Sequence, residues 1–334
     1  MGGDAAPGVE VAGALQAARE LNGSIEIVLV GDEERIYRDL DRAEAERLRI
    51  HVCHTAEQVS MSEAAAFSFR RKQDSSIVVA SRLLKEGEID ALVSAGNTGA
   101  VVTASLLSLG RIQGIDRPAI AVLVPTPTGH TILLDAGATS DCKPVHLYQF
   151  ALMGKVYARD IFGVHDPRIG LLNIGEEDSK GSDLAVQAYK LMGEARPNLR
   201  FIGNVEGRDI LRGTADVVVC DGFTGNVILK FAESVVGMVM HTVRREMEKN
   251  LKIRLGALLL KPVFRRLRSR LNYEEYGGAP LLGINGICVI SHGSSSALAI
   301  KNAIRVAAES ARSRINARIK EELDREQTER RVLG

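Results

Sequence analysis

Short unbroken apolar runs recur along this chain, each ending in a glycine-bearing turn and followed by apolar residues at helical spacing. The pattern occurs in IEIVLVGDEERI (25–36) and again in IDALVSAGNTGAVVTASLL (89–107). It continues through AIAVLVP, TILLDAGATSD, RIGLLNIGEEDSKGSDLAVQAY, LRFIGNVEGRDIL and ADVVVCDGFTGNVILKF. Continuous Val, Ile and Leu without polar alternation marks strands covered on both faces, as parallel strands flanked by helices are. The order strand, turn, helix therefore predicts a doubly wound, three-layer α/β/α architecture with a mostly parallel sheet, built as one α/β domain over residues 1–334. Residues 297–328 read as a single long helix, and the last dozen residues of the chain are expected to fray into solvent.

Two of these units echo each other at an offset of 126 positions, Asp90 to Gly99 against Asp216 to Gly225. The shared G-x-T-G reflects either convergent use of one turn or an internal repeat, and convergence is the reading adopted. Such turns bring backbone N–H groups and a helix N-terminus to the end of a buried strand, where an anion binds well. Gly96, Asn97 and Thr98 of the first turn and Asp221, Gly222, Thr224 and Gly225 of the second are therefore expected to line a phosphate crevice along one sheet edge. His292, Ser294 and Ser295 of HGSSS are expected to join them. Simpler roles compete: Asn97 as an Asx turn, Ser294 or Ser295 as the cap of a helix starting near Ala297, and Asp221 as a helix cap instead of a group orienting Lys180 or His292.

No G-x-G-x-x-G follows any strand, so nothing announces a dinucleotide and no cofactor is expected. GEEDSKGS (175–182) approaches a P-loop, but its lysine and glycine stand in the reverse order, which leaves a simple phosphate as the better ligand. Lys180, among Glu176, Glu177 and Asp178 at a helix start, is either a phosphate-binding lysine or a surface residue paired with its acidic neighbours.

Composition narrows the classes. A chain of 334 residues, 45% apolar and 25% charged, has the makeup of a globular protein, and a net charge of +1 gives no general attraction to nucleic acid. Four cysteines without paired spacing point to a reducing, cytoplasmic setting. No apolar run reaches the roughly 18 residues of a bilayer span, and MGGDAAPG lacks the parts of a signal peptide. Cys220 could be taken for an acyl-accepting nucleophile, but it continues Val217, Val218 and Val219 and reads as core. HVCH (51–54) gathers three potential metal ligands without a fourth or a second pair, so no metal site is expected.

Basic charge concentrates at 249–270, where eight Lys/Arg and no Asp/Glu are interleaved with leucines. Pro262 forces a helix boundary there, which predicts a helical hairpin over 235–275 inside the domain. Its tip, Leu258, Leu259, Leu260, Lys261, Arg265 and Arg266, suits an anionic membrane surface. A dimer-packing hairpin whose basic face receives an acidic carrier protein is the competing use.

MGGD, SAGNTGA, GRIQGIDRPA, LLDAGA, GLLNIGEEDSKG, FIGNVEGRD, DVVVCDGFTGN, YGGAPLLG and HGSS stand in this chain in the order found in the bacterial phosphate acyltransferases of phospholipid synthesis, the PlsX family. The sequence resembles that family over nearly its whole length. The resemblance implies transfer of a fatty acyl group from acyl-acyl-carrier protein to inorganic phosphate, without a nucleotide cofactor. It also implies a homodimer, a fold similar to the isocitrate/isopropylmalate dehydrogenase group, and peripheral membrane contact through the hairpin. A membrane-bound glycerol-3-phosphate acyltransferase would consume the acyl phosphate. Lys180 matches the lysine thought catalytic in the family, and Asn226 the asparagine closing GFTGN. Relatives place a short apolar strand ahead of MGGD, so lack of that strand is expected to cost stability more than chemistry. Two rivals stand beside this reading: a decarboxylating dehydrogenase of related fold, and a non-catalytic membrane adaptor that binds acyl-carrier protein.

Overall fold

The computed structural model describes residues 1–195, 198–247, 260, 262–264 and 277–333. Each apolar run becomes a strand: β1 Ile27–Gly31, β2 Ile50–His54, β3 Leu92–Ser94, β4 Ala119–Thr126, β5 Gly129–Leu134, β6 Ile169–Leu172, β7 Phe201–Val205, β8 Val217–Val219, β9 Ala279–Leu282 and β10 Cys288–Ile290. Eight of them form one sheet in the order β3-β10-β9-β4-β5-β8-β6-β7. β5, β8, β6 and β7 run parallel to one another, as do β3 and β10. Between these two blocks β9 and β4 pair antiparallel, which corrects the expectation of parallel neighbours for AIAVLVP and TILLDAGATSD. The reason lies in the linker. Only Pro127 and Thr128 separate β4 from β5, enough for a hairpin but far short of the dozen or so residues a parallel crossover needs.

The helices are α1 Gly8–Leu21, α2 Glu33–Asp39, α3 Arg42–Arg47, α4 Ala65–Arg71, α5 Ser76–Glu86, α6 Thr98–Leu109, α7 Pro144–Phe162, α8 Asp183–Glu194, α9 Gly207–Arg212, α10 Gly222–Met247, α11 Ala297–Arg312 and α12 Ile315–Leu333. They cover both faces of the sheet. Val217 and Val219 pack in a core with Phe150, Met153, Ala188 and Met192 of α7 and α8. Val218 and Cys220 point the other way, to Ile210 of α9 and Ile228 of α10. Each such side chain contributes about 1.5–3 kcal/mol by leaving water, and the two cores fix β8 from both sides.

The C-terminal segment is two helices, not one over 297–328, because Arg314 adopts a left-handed φ of 54° between them. Its end does not fray as expected. Within those last dozen residues Leu323 is a core residue, and the buried Glu326 accepts from Asn198 Nδ2 at 2.9 Å.

Among the described residues, strands β1 and β2 pair only with each other. The free edge of β1 faces that of β3 across a cleft of about 640 Å³, lined also by Ala14, Ala80, Ile300 and Ile304. Met1 closes one end, its side chain against Gly31 and its carbonyl near Gly96, so both strands point toward the same end. The predicted hairpin is described only in part: residues 235–247 are the last turns of α10, Leu260 is half exposed, and Leu258, Leu259, Lys261, Arg265 and Arg266 lie outside the described residues.

Candidate active site

At β6 and β8 the chain turns in opposite directions. β6 continues through α8 to β7 on one side, whereas β8 continues through α10 toward β9 on the other. α8 packs on one face of the sheet and α10 on the opposite one. In open α/β sheets the crevice outside the carboxyl ends of two such strands is the usual ligand site. Two glycine-rich segments flank it here, residues 173–181 after β6 and residues 220–226 after β8.

The second segment is fixed by close backbone packing. Gly222 donates its N–H to the Thr139 carbonyl at 2.8 Å. A Cβ at Gly222 would stand 2.6 Å from Asp135 Oδ2, and one at Gly225 only 1.9 Å from the Asp135 carbonyl oxygen. Both positions require glycine because α10 starts directly against the loop 135–139. That loop is organised by Asp135, fully buried, whose carboxylate accepts from the N–H groups of Ile120, Gly137, Ala138 and Thr139. Burial pushes the Asp135 carboxyl above its ordinary pKa, against the pull of those four donors. The loop carries the turn of LLDAGA, a string singled out in the sequence but given no role. An acid at the end of an otherwise apolar strand was its signal, since a buried carboxylate demands donors.

Asn226 is exposed and lies beside Gly137, and its amide makes no hydrogen bond among the described residues. Asp221 caps α10, accepting from Thr224 N at 2.9 Å and from Thr224 Oγ1 at 2.7 Å. The capping reading of Asp221 therefore holds over the orienting one. Cys220 is buried as expected for core. Burial first, and the nearby Asp135 and Asp221 carboxylates next, hold its thiol well above the ordinary value, which disfavours the thiolate a nucleophile needs. Cys142 is raised in the same way, to about 12.

Lys180 stands across the crevice on the other segment, largely exposed, its ammonium 3.9 Å from Glu177 Oε1. A pair this open and this long contributes little, so the lysine is readily released to another anion. Glu176 is drawn toward Arg208 at 3.7 Å.

The remaining expected site residues gather elsewhere. Because β3 and β10 run opposite to β5, β6 and β8, their carboxyl ends lie at the opposite edge of the sheet. Gly96, Asn97, Thr98, His292, Ser294 and Ser295 therefore do not share one edge with Lys180 and Asn226, which corrects the single crevice read from the sequence. Asn97 caps α6, accepting from Ala100 N at 3.0 Å and donating to the carbonyls of Met61 and Glu63. His292 Nδ1 lies 2.7 Å from Ser294 Oγ, and Ser296, not Ser294 or Ser295, caps α11. The two G-x-T-G strings also enter their helices out of phase. Thr98 is the first helical residue of α6, whereas Gly222, two residues before Thr224, is the first of α10. Such a phase difference supports convergence over a repeat. In HVCH, His54 accepts from Glu33 N and His51 lies 3.5 Å from Glu26, and no cluster suited to a metal occurs among the described residues.

Lys230 and Glu233 interrupt the apolar sequence of α10. α10 is long and apolar enough, by length and composition, to cross a bilayer. Phe223, Val227 and Phe231 form an exposed stripe along it, although its first turn is packed on the sheet.

The fold is similar to that of solved phosphotransacylases. A phosphotransacetylase from Streptococcus pyogenes is 18% identical with a TM-score of 0.59, covering 90% of this chain and 91% of its own. A branched-chain phosphotransacylase from Enterococcus faecalis is 16% identical with a TM-score of 0.59, covering 93% and 96%. The chain belongs to the family described as Fatty acid synthesis protein, which it matches over residues 1–318, and its full-length relatives are phosphate acyltransferases. That of Heliobacterium modesticaldum is 52% identical, covering 97% of this chain and 96% of the relative, and that of Moorella thermoacetica 53% identical, covering 92% and 89%.

Proposed function

We propose that this enzyme transfers a fatty acyl group from acyl-acyl-carrier protein to inorganic phosphate, in the switch-point crevice between β6 and β8. What supports the reading is that a loosely held lysine and an asparagine whose amide makes no hydrogen bond among the described residues follow the adjacent parallel strands β6 and β8. A phosphate oxygen attacks the thioester carbonyl, forming a C–O bond. The tetrahedral oxyanion collapses with cleavage of the C–S bond, and the departing thiolate takes up a proton to leave free carrier thiol. Lys180 aligns the phosphate and offsets its charge, and Asn226 donates to the oxyanion, a contribution of roughly 3–4 kcal/mol in comparable sites. Incubation with acyl-carrier thioester and phosphate is expected to release free carrier thiol only when phosphate is present. A folded protein that binds the carrier but releases no thiol would instead be the adaptor.

Acyl phosphate is reactive and its acyl chain apolar, which favours delivery at a membrane to a glycerol-3-phosphate acyltransferase. The basic tip at 258–266 is the segment suited to that surface, and the stripe of Phe223, Val227 and Phe231 suits a second copy of the chain. Sedimentation tests both. The protein is expected to run at twice its monomer mass and to pellet with anionic vesicles. Replacing Leu258, Leu259 and Leu260 by serine should abolish pelleting without changing that mass. Retained pelleting rules out insertion of the tip, and a monomer mass rules out the dimer.

A further inference from the structure

We infer that Asn173 and Asn204 are positioning residues for Lys180, clamping the backbone of its turn from two neighbouring strand ends while leaving the ammonium free. The inference rests on the assignment of Lys180 to phosphate. Asn204, at the end of β7 and only 7% exposed, donates from Nδ2 to the Glu177 carbonyl at 2.7 Å. That same carbonyl accepts from the Lys180 N–H at 3.2 Å, which closes the turn on itself. Asn173, directly after β6, donates from Nδ2 to the Lys180 carbonyl at 2.8 Å, while its Oδ1 accepts from Ile174 N at 2.8 Å. Gly181 lies on top of the Asn173 amide. With φ at +95° and a Cβ position only 2.2 Å from Asn173 Oδ1, no side chain fits there without displacing the clamp.

Both ends of the turn Glu177–Lys180 are thus held by side-chain amides, one from each of two adjacent strands, and neither amide touches the lysine's own side chain. This is an arrangement for a group that must reach a ligand repeatedly from one origin. The backbone is ordered before phosphate arrives, so only the lysine side chain loses freedom on binding. The long Glu177 contact gives the ammonium a resting partner without holding it.

The test uses the near-isosteric Asn173→Asp and Asn204→Asp, each of which turns the donor facing a loop carbonyl into an acceptor. Because misplacement by about 1 Å can cost a hundredfold, each is expected to raise the KM for inorganic phosphate and lower kcat/KM for phosphate by about ten- to a hundredfold. The KM for the acyl-carrier thioester should stay within about twofold of the parent. In the Lys180→Ala background, Asn204→Asp should add no further loss. Unchanged phosphate kinetics in both variants, or a fall in kcat that tracks loss of folded protein with both KM values intact, overturns the clamp. Near-normal turnover of Lys180→Ala alone would sink the assignment of Lys180 itself, so the two failures are distinguishable.

Discussion

Lys180→Ala and Asn226→Ala are each expected to lower turnover by about 10²–10³-fold, the usual loss when one donor to a developing charge is removed from a preorganised site. Neither change should disturb the fold. Lys180 and Asn226 are exposed, neither belongs to a hydrophobic core, and Lys180's ion pair is an open surface contact. Circular dichroism and sedimentation should therefore match the parent, so that lost turnover reports chemistry. Cys220→Ser supplies the contrast. If the thiol is core and not nucleophile, that variant keeps turnover of the parent's order even if its melting temperature falls. Near-normal turnover in Lys180→Ala or Asn226→Ala would refute its assigned role, and an inactive but folded Cys220→Ser would revive covalent catalysis.

The second large effect comes from a single methyl group. In Gly225→Ala the new carbon would fall 1.9 Å from the Asp135 carbonyl oxygen and 3.0 Å from Cys220 Sγ. The first obstacle is backbone, anchored by the Asp135 hydrogen bonds, so α10 must move instead. Overpacking of this kind costs typically 1–3 kcal/mol, and Asn226, the next residue, shifts with the helix. Turnover is expected to fall about a hundredfold, as for other misplacements near 1 Å. Gly237→Ala is the internal control. It lies on the same helix with nothing within 4 Å of its Cβ position, and replacing an exposed helical glycine by alanine stabilises by roughly 0.5–1 kcal/mol. Thermal melts and turnover of the two variants should move in opposite directions in stability and differ sharply in activity. If Gly225→Ala behaves like Gly237→Ala, the close packing of α10 on the 135–139 loop has no part in placing Asn226.

Much of this was legible in the chain because local rules wrote it. Apolar runs such as VVVC were strands, G-x-T-G marked helix starts, and GEEDSKG and CDGFTGN follow the adjacent strands β6 and β8. Strand direction was harder: β9 at 279–282, from far along the chain, slips antiparallel between β10 and β4 and leaves those two running the same way, and the β4/β5 hairpin then inverts one block against the other. The five residues TPTGH between AIAVLVP and TILLDAGATSD, too few for a crossover, did carry the signal for a hairpin, but period and composition alone did not weigh it. The supporting polar residues were hidden for another reason. Asn173, Asn204 and Asp135 act through backbone carbonyls and N–H groups that carry no residue identity, so their partners cannot be read from a string of letters.

The gap between β1 and β3 has a consequence for how the molecule comes apart. A backbone ladder ties strands in one register and makes them open together, whereas side-chain packing alone permits separate opening. Among the described residues, β1 and β2 meet the rest of the protein through α1, α5 and α11 and share no ladder with the eight-stranded sheet. Among the described residues, β1 and β2 are therefore expected to exchange their amide hydrogens with solvent earlier than β5, β8 and β6, a difference that hydrogen–deuterium exchange reads directly.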